Sequence, residues 1–221
     1  VIAFIDDRQT VFGQNQDDVW ALVSQNRGQT WTETLVESSL IGDVDSVRVD
    51  LDGPRITVAW LDDMSGNDAV HSVSSQNGGL TWLTEKTLSQ SAEATSGASA
   101  GEPSVAVIGS RAYVTWADDA AGGGYAGASG NKGYVAVTSN GGTSWVVDVP
   151  LDSSSPDANN NPQVAATPNA VYVAMEYGVP GYQTLAYAYS RNGVTFDGPA
   201  GVALSGPDVD FPDGSEGSSF I

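Results

Sequence analysis

Three pairs of aspartates stand at matching places in this chain: Asp6-Asp7, Asp62-Asp63 and Asp118-Asp119. Each pair closes a short apolar run, "VIAFIDD", "RITVAWLDD" or "RAYVTWADD", and Glu176 reads as the equivalent position in a fourth, "AVYVAMEYG". Carboxylates brought close together repel and raise one another's pKa unless a cation neutralises them. Calcium suits oxygen-rich loops of this kind, so the six aspartates are candidate calcium ligands. No EF-hand spacing accompanies them, and the competing reading is that each aspartate caps its own strand-end turn. Paired carboxylates are also what glycoside hydrolysis requires, with Asp63 and Asp119 as the pair. Tyr125, Tyr134, Tyr177 and Tyr182 read as loop residues and, with Glu176, are candidate ligand contacts. Trp60 and Trp116 match each other two residues before their aspartate pairs, with Phe4 and Met175 at the same position. Core packing between sheets is the expectation for that position.

Other chemistries are excluded by composition. There is no cysteine, so no disulfide framework and no thiolate metal site can form. The single histidine, His71, rules out a multi-histidine zinc site and would have to serve in any Ser-His-Asp triad. A structural or surface role is expected for it. The 8 Lys+Arg against 27 Asp+Glu give a net charge of −19. Nucleic acids and anionic membrane surfaces both demand basic patches, so neither is an expected partner. No apolar run approaches the ~20 residues of a membrane span. Position 1 reads as the middle of a strand, with no leader pattern before it, so the natural N-terminus is expected upstream.

The elements that position these residues are repeats. "SQNRGQTW", "SQNGGLTW", "TSNGGTSW" and the shorter "SRNGVTF" align. Their shared positions are Ser24, Asn26, Gly28 and Trp31; Ser75, Asn77, Gly79 and Trp82; Thr138, Asn140, Gly142 and Trp145; and Ser190, Asn192, Gly193 and Phe196. The closing aromatics are 51, 63 and 51 residues apart, about one propeller blade. Asn bonds to backbone two residues on and tolerates a left-handed conformation. Gly supplies positive φ without steric cost. The aromatic is a large plug expected to bury against a neighbouring sheet. Ahead of each hairpin lie one or two further strands that alternate apolar and polar, so a full unit holds four antiparallel strands. Helical periodicity is absent.

The "S-x-N-x-G-x-T-W" pattern resembles the Asp-box, or bacterial neuraminidase repeat, of sialidase-like β-propellers, with Asn in all four copies where that family usually has Asp. The resemblance covers nearly the whole chain. It implies an all-β propeller of four-stranded blades, with these turns on the outer, non-catalytic side. One domain over 1–221 is expected, with blades near 1–41, 42–98, 99–157 and 158–205. Residues 206–221 either close a four-bladed ring or start another blade of a longer propeller. The long loops after each second strand then share one mouth, where function tends to sit.

The resemblance does not extend to sialidase chemistry. That family clamps a carboxylate with three arginines. Of the six here, Arg27 and Arg191 lie in Asp-box hairpins and Arg55 and Arg111 at turns on the same side, leaving Arg8 and Arg48. An acidic mouth also repels an anionic sugar. Two classes of function remain. One is a non-catalytic extracellular or periplasmic module that binds a glycan or a protein partner, with calcium. The other is a glycoside hydrolase, sialidase-like or acting on neutral sugars, which requires one mouth carboxyl to titrate well above its ordinary value. Export follows from the resemblance and the acidity.

Overall fold

The structure, a computed structural model, describes residues 1–8, 17–37, 44–62, 68–89, 100–118, 132–151, 159–177 and 184–201. All regular structure among them is β-strand. The first sheet, blade 1, holds β1 (Ile2–Asp6), β2 (Asp18–Val23) and β3 (Thr32–Glu37). Blade 2 holds β4 (Val44–Asp52), β5 (Arg55–Asp62), β6 (Ala69–Ser75) and the two-residue β7 (Lys86–Thr87). Blade 3 holds β8 (Ser104–Ile108), β9 (Arg111–Asp118), β10 (Lys132–Thr138) and β11 (Val146–Pro150). Blade 4 holds β12 (Asn159–Ala166), β13 (Val171–Tyr177), β14 (Thr184–Ser190) and β15 (Asp197–Gly201). Each sheet is a meander in sequence order, antiparallel throughout. This is the expected β-propeller architecture.

The first strands of blades 2 to 4 gather at the axis, where β4 packs beside β8 and β8 beside β12. Polar groups tie these neighbours together. Asp50 and Asp52 of β4 accept from the Val107 and Gly109 amides at 2.7 and 2.8 Å, and Ser104 Oγ accepts from the Val164 amide at 3.2 Å. Blade 1 has no counterpart of β4 among the described residues, so its β1 corresponds to β5, β9 and β13.

Alternation explains the core, because successive side chains of a strand face opposite sheets. Val58 and Trp60 of β5 turn towards blade 1 and meet Val19 of β2. Between blades 2 and 3, Trp116 and Tyr134 pack with Leu61, Val70 and Leu88. Between blades 3 and 4, Val173, Met175 and Ala186 pack with Tyr113, Val135 and Val137. Trp60, Trp116 and Met175 are fully buried, as their shared position implied, whereas Phe4 at the same position is only partly buried.

The four repeat turns join β2 to β3, β6 to β7, β10 to β11 and β14 to β15, and they share one hydrogen-bond scheme. The Ser or Thr hydroxyl donates to the Asn Oδ1 at 2.9–3.0 Å. The same hydroxyl accepts from the amide of Gly28, Gly79, Gly142 or Gly193 at 2.7–3.1 Å. Asn Oδ1 also accepts from the amide of Thr30, Thr81, Ser144 or Thr195, and Asn Nδ2 donates to that residue's hydroxyl. Each turn is therefore closed by its own side chains. Successive turns are also linked: Gln25 Nε2 donates to Gly78 O at 2.5 Å, and Gln76 Nε2 to Asn140 O at 3.0 Å.

The aromatic plugs do not all behave alike. Trp82, Trp145 and Phe196 lie against the apolar clusters between their own blade and the preceding one. Trp31 is exposed, and its indole N–H donates to Gly28 O within its own turn at 3.1 Å. The expectation of a buried plug fails at Trp31 because no described blade precedes blade 1.

Candidate functional site

The antiparallel meander sends the four repeat turns to one end of the blades and the long loops after β1, β5, β9 and β13 to the other. Asp6, Asp62 and Asp118 are each the last residue of their strand at this second end, level with Asp18, Ala69 and Lys132 across the hairpin. In blade 4 this level is held by Tyr177, which pairs with Thr184; Glu176 lies one residue earlier, level with Leu185. Glu176 is therefore not the counterpart of the aspartates that its place in the repeat suggested.

Each aspartate has a different setting. Asp6 forms an ion pair with Arg8 at 2.5 Å, and the Arg8 side-chain bond holds its carboxyl below the usual range. Asp62 is buried; its Oδ2 accepts from the Trp60 indole at 3.1 Å and lies 3.4 Å from His71 Nε2. Asp118 is buried and accepts from the Trp116 indole at 3.3 Å. The Trp-x-Asp spacing thus makes an internal hydrogen bond, since residues i and i+2 of a strand share a face. Asp7 is exposed, and Asp63 and Asp119 lie outside the described residues. No group of three or more His, Asp or Glu residues is poised around a metal position among the described residues.

The tyrosines divide similarly. Tyr134 belongs to β10 and not to a loop; it is buried and stacks on Trp116 with 6.1 Å between ring centroids. It is a core residue. Tyr177 ends β13 at the loop end of the blade. Tyr125 and Tyr182 lie outside the described residues.

Among the described residues, the densest titratable cluster lies at this same end, in the junction between blades 1 and 2. His71 sits level with Trp60 across β5 and β6, stacked on its indole at 5.9 Å between centroids. Its Nδ1 is 2.6 Å from Glu85 Oε1. Burial pulls the His71 pKa down, but the Glu85 hydrogen bond and the charges of Asp62, Glu85 and Glu37 outweigh it, so the net shift is upward. Glu37, at the end of β3, completes the group with Asp18. Burial, then the charges of Glu85, Asp62 and Asp18, push the Glu37 carboxyl up to about 7, with His71 opposing. Glu37 Oε2 is buried without a hydrogen-bond partner among the described residues. Burial and the neighbouring carboxylates thus favour the protonated form of Glu37 within this group.

Sequence reading assigned His71 a structural role and singled out neither Glu37, Glu85 nor Asp18. A usable signal was present. The hairpin counting that pairs β5 with β6 places His71 beside Trp60, on the Asp62 face of the sheet. In the next junction the equivalent of His71 is Tyr134, and in the last it is Ala186, so only the first is polar.

The two remaining arginines, Arg8 and the mid-strand Arg48, are both engaged. Arg8 reaches Glu33 at 2.9 Å as well as Asp6, and lies over the Trp20 ring at 4.7 Å. Arg48 pairs with Glu102 at 2.6 Å. Neither is arranged with a second arginine to clamp a carboxylate.

No family model matches the chain, and no curated protein does. Solved structures do resemble it. A protein of unknown function from Dyadobacter fermentans superposes with a TM-score of 0.57 at 17% identity, over 88% of this chain and 63% of that one. The α-L-arabinanase of Penicillium chrysogenum, complexed with arabinobiose, gives 0.47 at 17% identity over 79% and 54%. A thermostable family-43 glycoside hydrolase gives 0.46 at 16% identity over 87% and 66%. The chain therefore spans between 54% and 66% of the length of these three structures. The likeness is one of fold. None of the three is named as a sialidase, so the resemblance to sialidase propellers rests on the repeat turns.

Proposed function

We propose that this chain is a glycan-binding propeller unit of an exported protein, with its ligand at the end opposite the repeat turns. The observation that supports this most is the segregation of the two ends. The turns are closed by their own side chains, whereas the variable loops and strand-end carboxylates gather at the other end. Rigid strands carrying variable loops are the usual setting for recognition. The acidic surroundings favour a neutral or cationic sugar over an anionic one. Tyr125, Tyr177 and Tyr182 are the proposed stacking residues, and Glu176 a polar contact. Calcium belongs to the same reading, at the loop positions Asp7, Asp63 and Asp119, because loop oxygens suit it. The test is calorimetric titration with neutral and amino-sugar oligosaccharides, with and without calcium. Binding without turnover is expected, weakened at least tenfold by Tyr177→Ala with Tyr182→Ala. Binding indifferent to both changes would overturn the assignment of the site.

A second reading is favoured by one observation: the Glu37 carboxyl pushed up to about 7. A carboxylic acid still protonated near neutral pH is what general acid catalysis of glycoside cleavage requires. Glu37 would protonate the leaving oxygen, with Asp62 or Asp18 as the ionised partner. Chromogenic glycosides separate the two readings. Hydrolysis abolished by Glu37→Gln supports the enzyme, and binding with no hydrolysis across the panel removes it.

A further inference from the structure

The inner strands of blades 2, 3 and 4 share an irregularity at their loop end: each carries one extra residue against its partner strand. Val44 faces Asp62 and Ser46 faces Leu61, so two steps along β4 oppose one along β5. Ala100 bridges Asp118 and Ser104 faces Thr115, so four steps oppose three along β9. Asn160 faces Glu176 and Gln163 faces Ala174, so three steps oppose two along β13. Trp60, Trp116 and Met175 hold one position of the repeat, and all three bulges fall beside it. A bulge takes a residue out of the ladder and re-aims its side chain, and bulges recur next to functional sites. The same bulge in three successive blades is part of the design of this end.

The residues set out of the ladder are polar. Asp45, Glu102 and Asn161 are exposed, while Val44, Pro103 and Pro162 beside them are buried. Asn161 has φ of +49°, a left-handed value that asparagine tolerates better than most residues. The first strands gather at the axis, so this level is the axial entry from the loop end. Arg48, level with Ala59, reaches across from blade 2, and its Nη2 donates to Glu102 Oε2 of blade 3 at 2.6 Å. Its Nη1 donates to Val47 O at 3.1 Å, which fixes the plane of the guanidinium. The two side chains are 46% and 62% exposed. An ion pair this exposed adds little to stability. Glu102 Oε1 and Arg48 Nε take no further bond among the described residues.

We propose that the Arg48–Glu102 pair at this entry clamps a vicinal diol of a neutral sugar, the guanidinium donating to one hydroxyl oxygen and the carboxylate accepting from the next hydroxyl. The proposal rests on the reading of the loop end as a glycan site, and adds to it the hydroxyl pair and the two side chains that read it. A hydroxyl both donates and accepts, whereas a guanidinium only donates and a carboxylate only accepts. Two adjacent hydroxyls therefore satisfy the pair without breaking it, through charge-assisted bonds. The Arg48 charge disfavours a metal ion at the same place, and Glu102 with Asp45 disfavours an anionic sugar. Asn161, from the third blade, offers a neutral donor and acceptor beside them.

The experiment is calorimetric titration of the whole chain with neutral pentasaccharides of glucose, mannose, xylose and arabinose, each beside its O-methylated form. At least one should bind, and methylation should remove the binding, because it takes away the donating hydroxyls. Arg48→Gln and Glu102→Gln should each weaken affinity about tenfold, the scale of one lost hydrogen bond to a charged group. The double variant should lose little more than either single one, since the two groups act as a unit. The thermal midpoint of each variant should stay within about 2 °C of the parent, as an exposed pair implies. A larger fall would make the pair a structural brace and overturn the proposal. So would binding that is indifferent to both substitutions yet weakened by Tyr177→Ala with Tyr182→Ala, a result that leaves the glycan reading of the loop end standing. Binding of none of the sugars would overturn both.

Discussion

Asn77 shows what one side chain contributes to a repeat turn. Its Oδ1 accepts from Ser75 and from the Thr81 amide, and its Nδ2 donates to Thr81 Oγ1 at 2.8 Å. A carboxylate keeps the two acceptor bonds, and the third reverses when the Thr81 hydroxyl donates. Asn77→Asp should therefore change stability by less than about 0.5 kcal/mol, while Asn77→Ala should cost about 1–3 kcal/mol, because it strips several bonds at once. Chemical denaturation of both variants checks this. Glu37 gives a prediction of a different kind. Its folded pKa of about 7 lies above its ordinary 4.5, so the protonated form is favoured by folding. That contribution is complete below about pH 4.5 and lost as pH rises through 7. His71 acts in the same direction, since its raised pKa favours folding below 6.5 and fades above. The thermal midpoint should fall between pH 5 and 8, and Glu37→Gln should flatten that fall. A midpoint that rises over this range would contradict the cluster as described. The asparagine scheme was readable from residue types, because every partner lies within four residues. Glu37 was not, because its pKa depends on burial in the blade junction and then on Glu85 and Asp62 of the next blade.

Among the elements, the hairpins carry both local and long-range constraints. Gly28 and Gly142 have φ of +84° and +88°, a region costly for any other residue. They differ in what lies beyond. Gly142 abuts Ser74 of the preceding blade, and Gly28 abuts no other blade among the described residues. Gly28→Ala should cost about 1–2 kcal/mol from backbone strain alone, and Gly142→Ala distinctly more, because Ser74 or the sheet must shift. Equal losses in thermal denaturation would mean that blade contact adds nothing. The strand bounds follow the same division. Strands β5 and β9 end at Asp62 and Asp118, where the apolar alternation stops. The placing of Tyr134 in a loop failed because Gly133 precedes it and reads as a turn. In the structure Gly133 pairs with Ala117 inside β10, and Tyr134 turns inward onto Trp116.

For the whole molecule, charge and order of blades matter most. A net charge of −19 gathered on 221 residues opposes compaction through self-repulsion. Salt screens that repulsion within about 10 Å at 0.1 M. Raising sodium chloride from about 20 to about 300 mM should raise the thermal midpoint by a few degrees. A midpoint lowered by salt would mean that ion pairs such as Arg48–Glu102 and Arg8–Glu33 outweigh the repulsion. The blades themselves are unequal. The first junction is polar around His71, the second stacks Trp116 on Tyr134, and the third sets Tyr113 and Phe196 among aliphatic residues around Met175. Most of the specific chemistry is thus concentrated where blade 1 meets blade 2.

The sequence by itself determined the repeat, the blade and the two ends of the blade. All three follow from local rules: alternation fixes a strand's faces, Asn and Gly fix a turn, and an antiparallel meander sends like loops to like ends. Tertiary structure alone decided which aspartates are buried, that the Glu37 carboxyl is pushed up to about 7, and that no blade among the described residues receives Trp31. Each of these depends on groups one blade away, separated by tens of residues in the chain, and the repeat pattern, being the same in every blade, carries no record of what its neighbour presents.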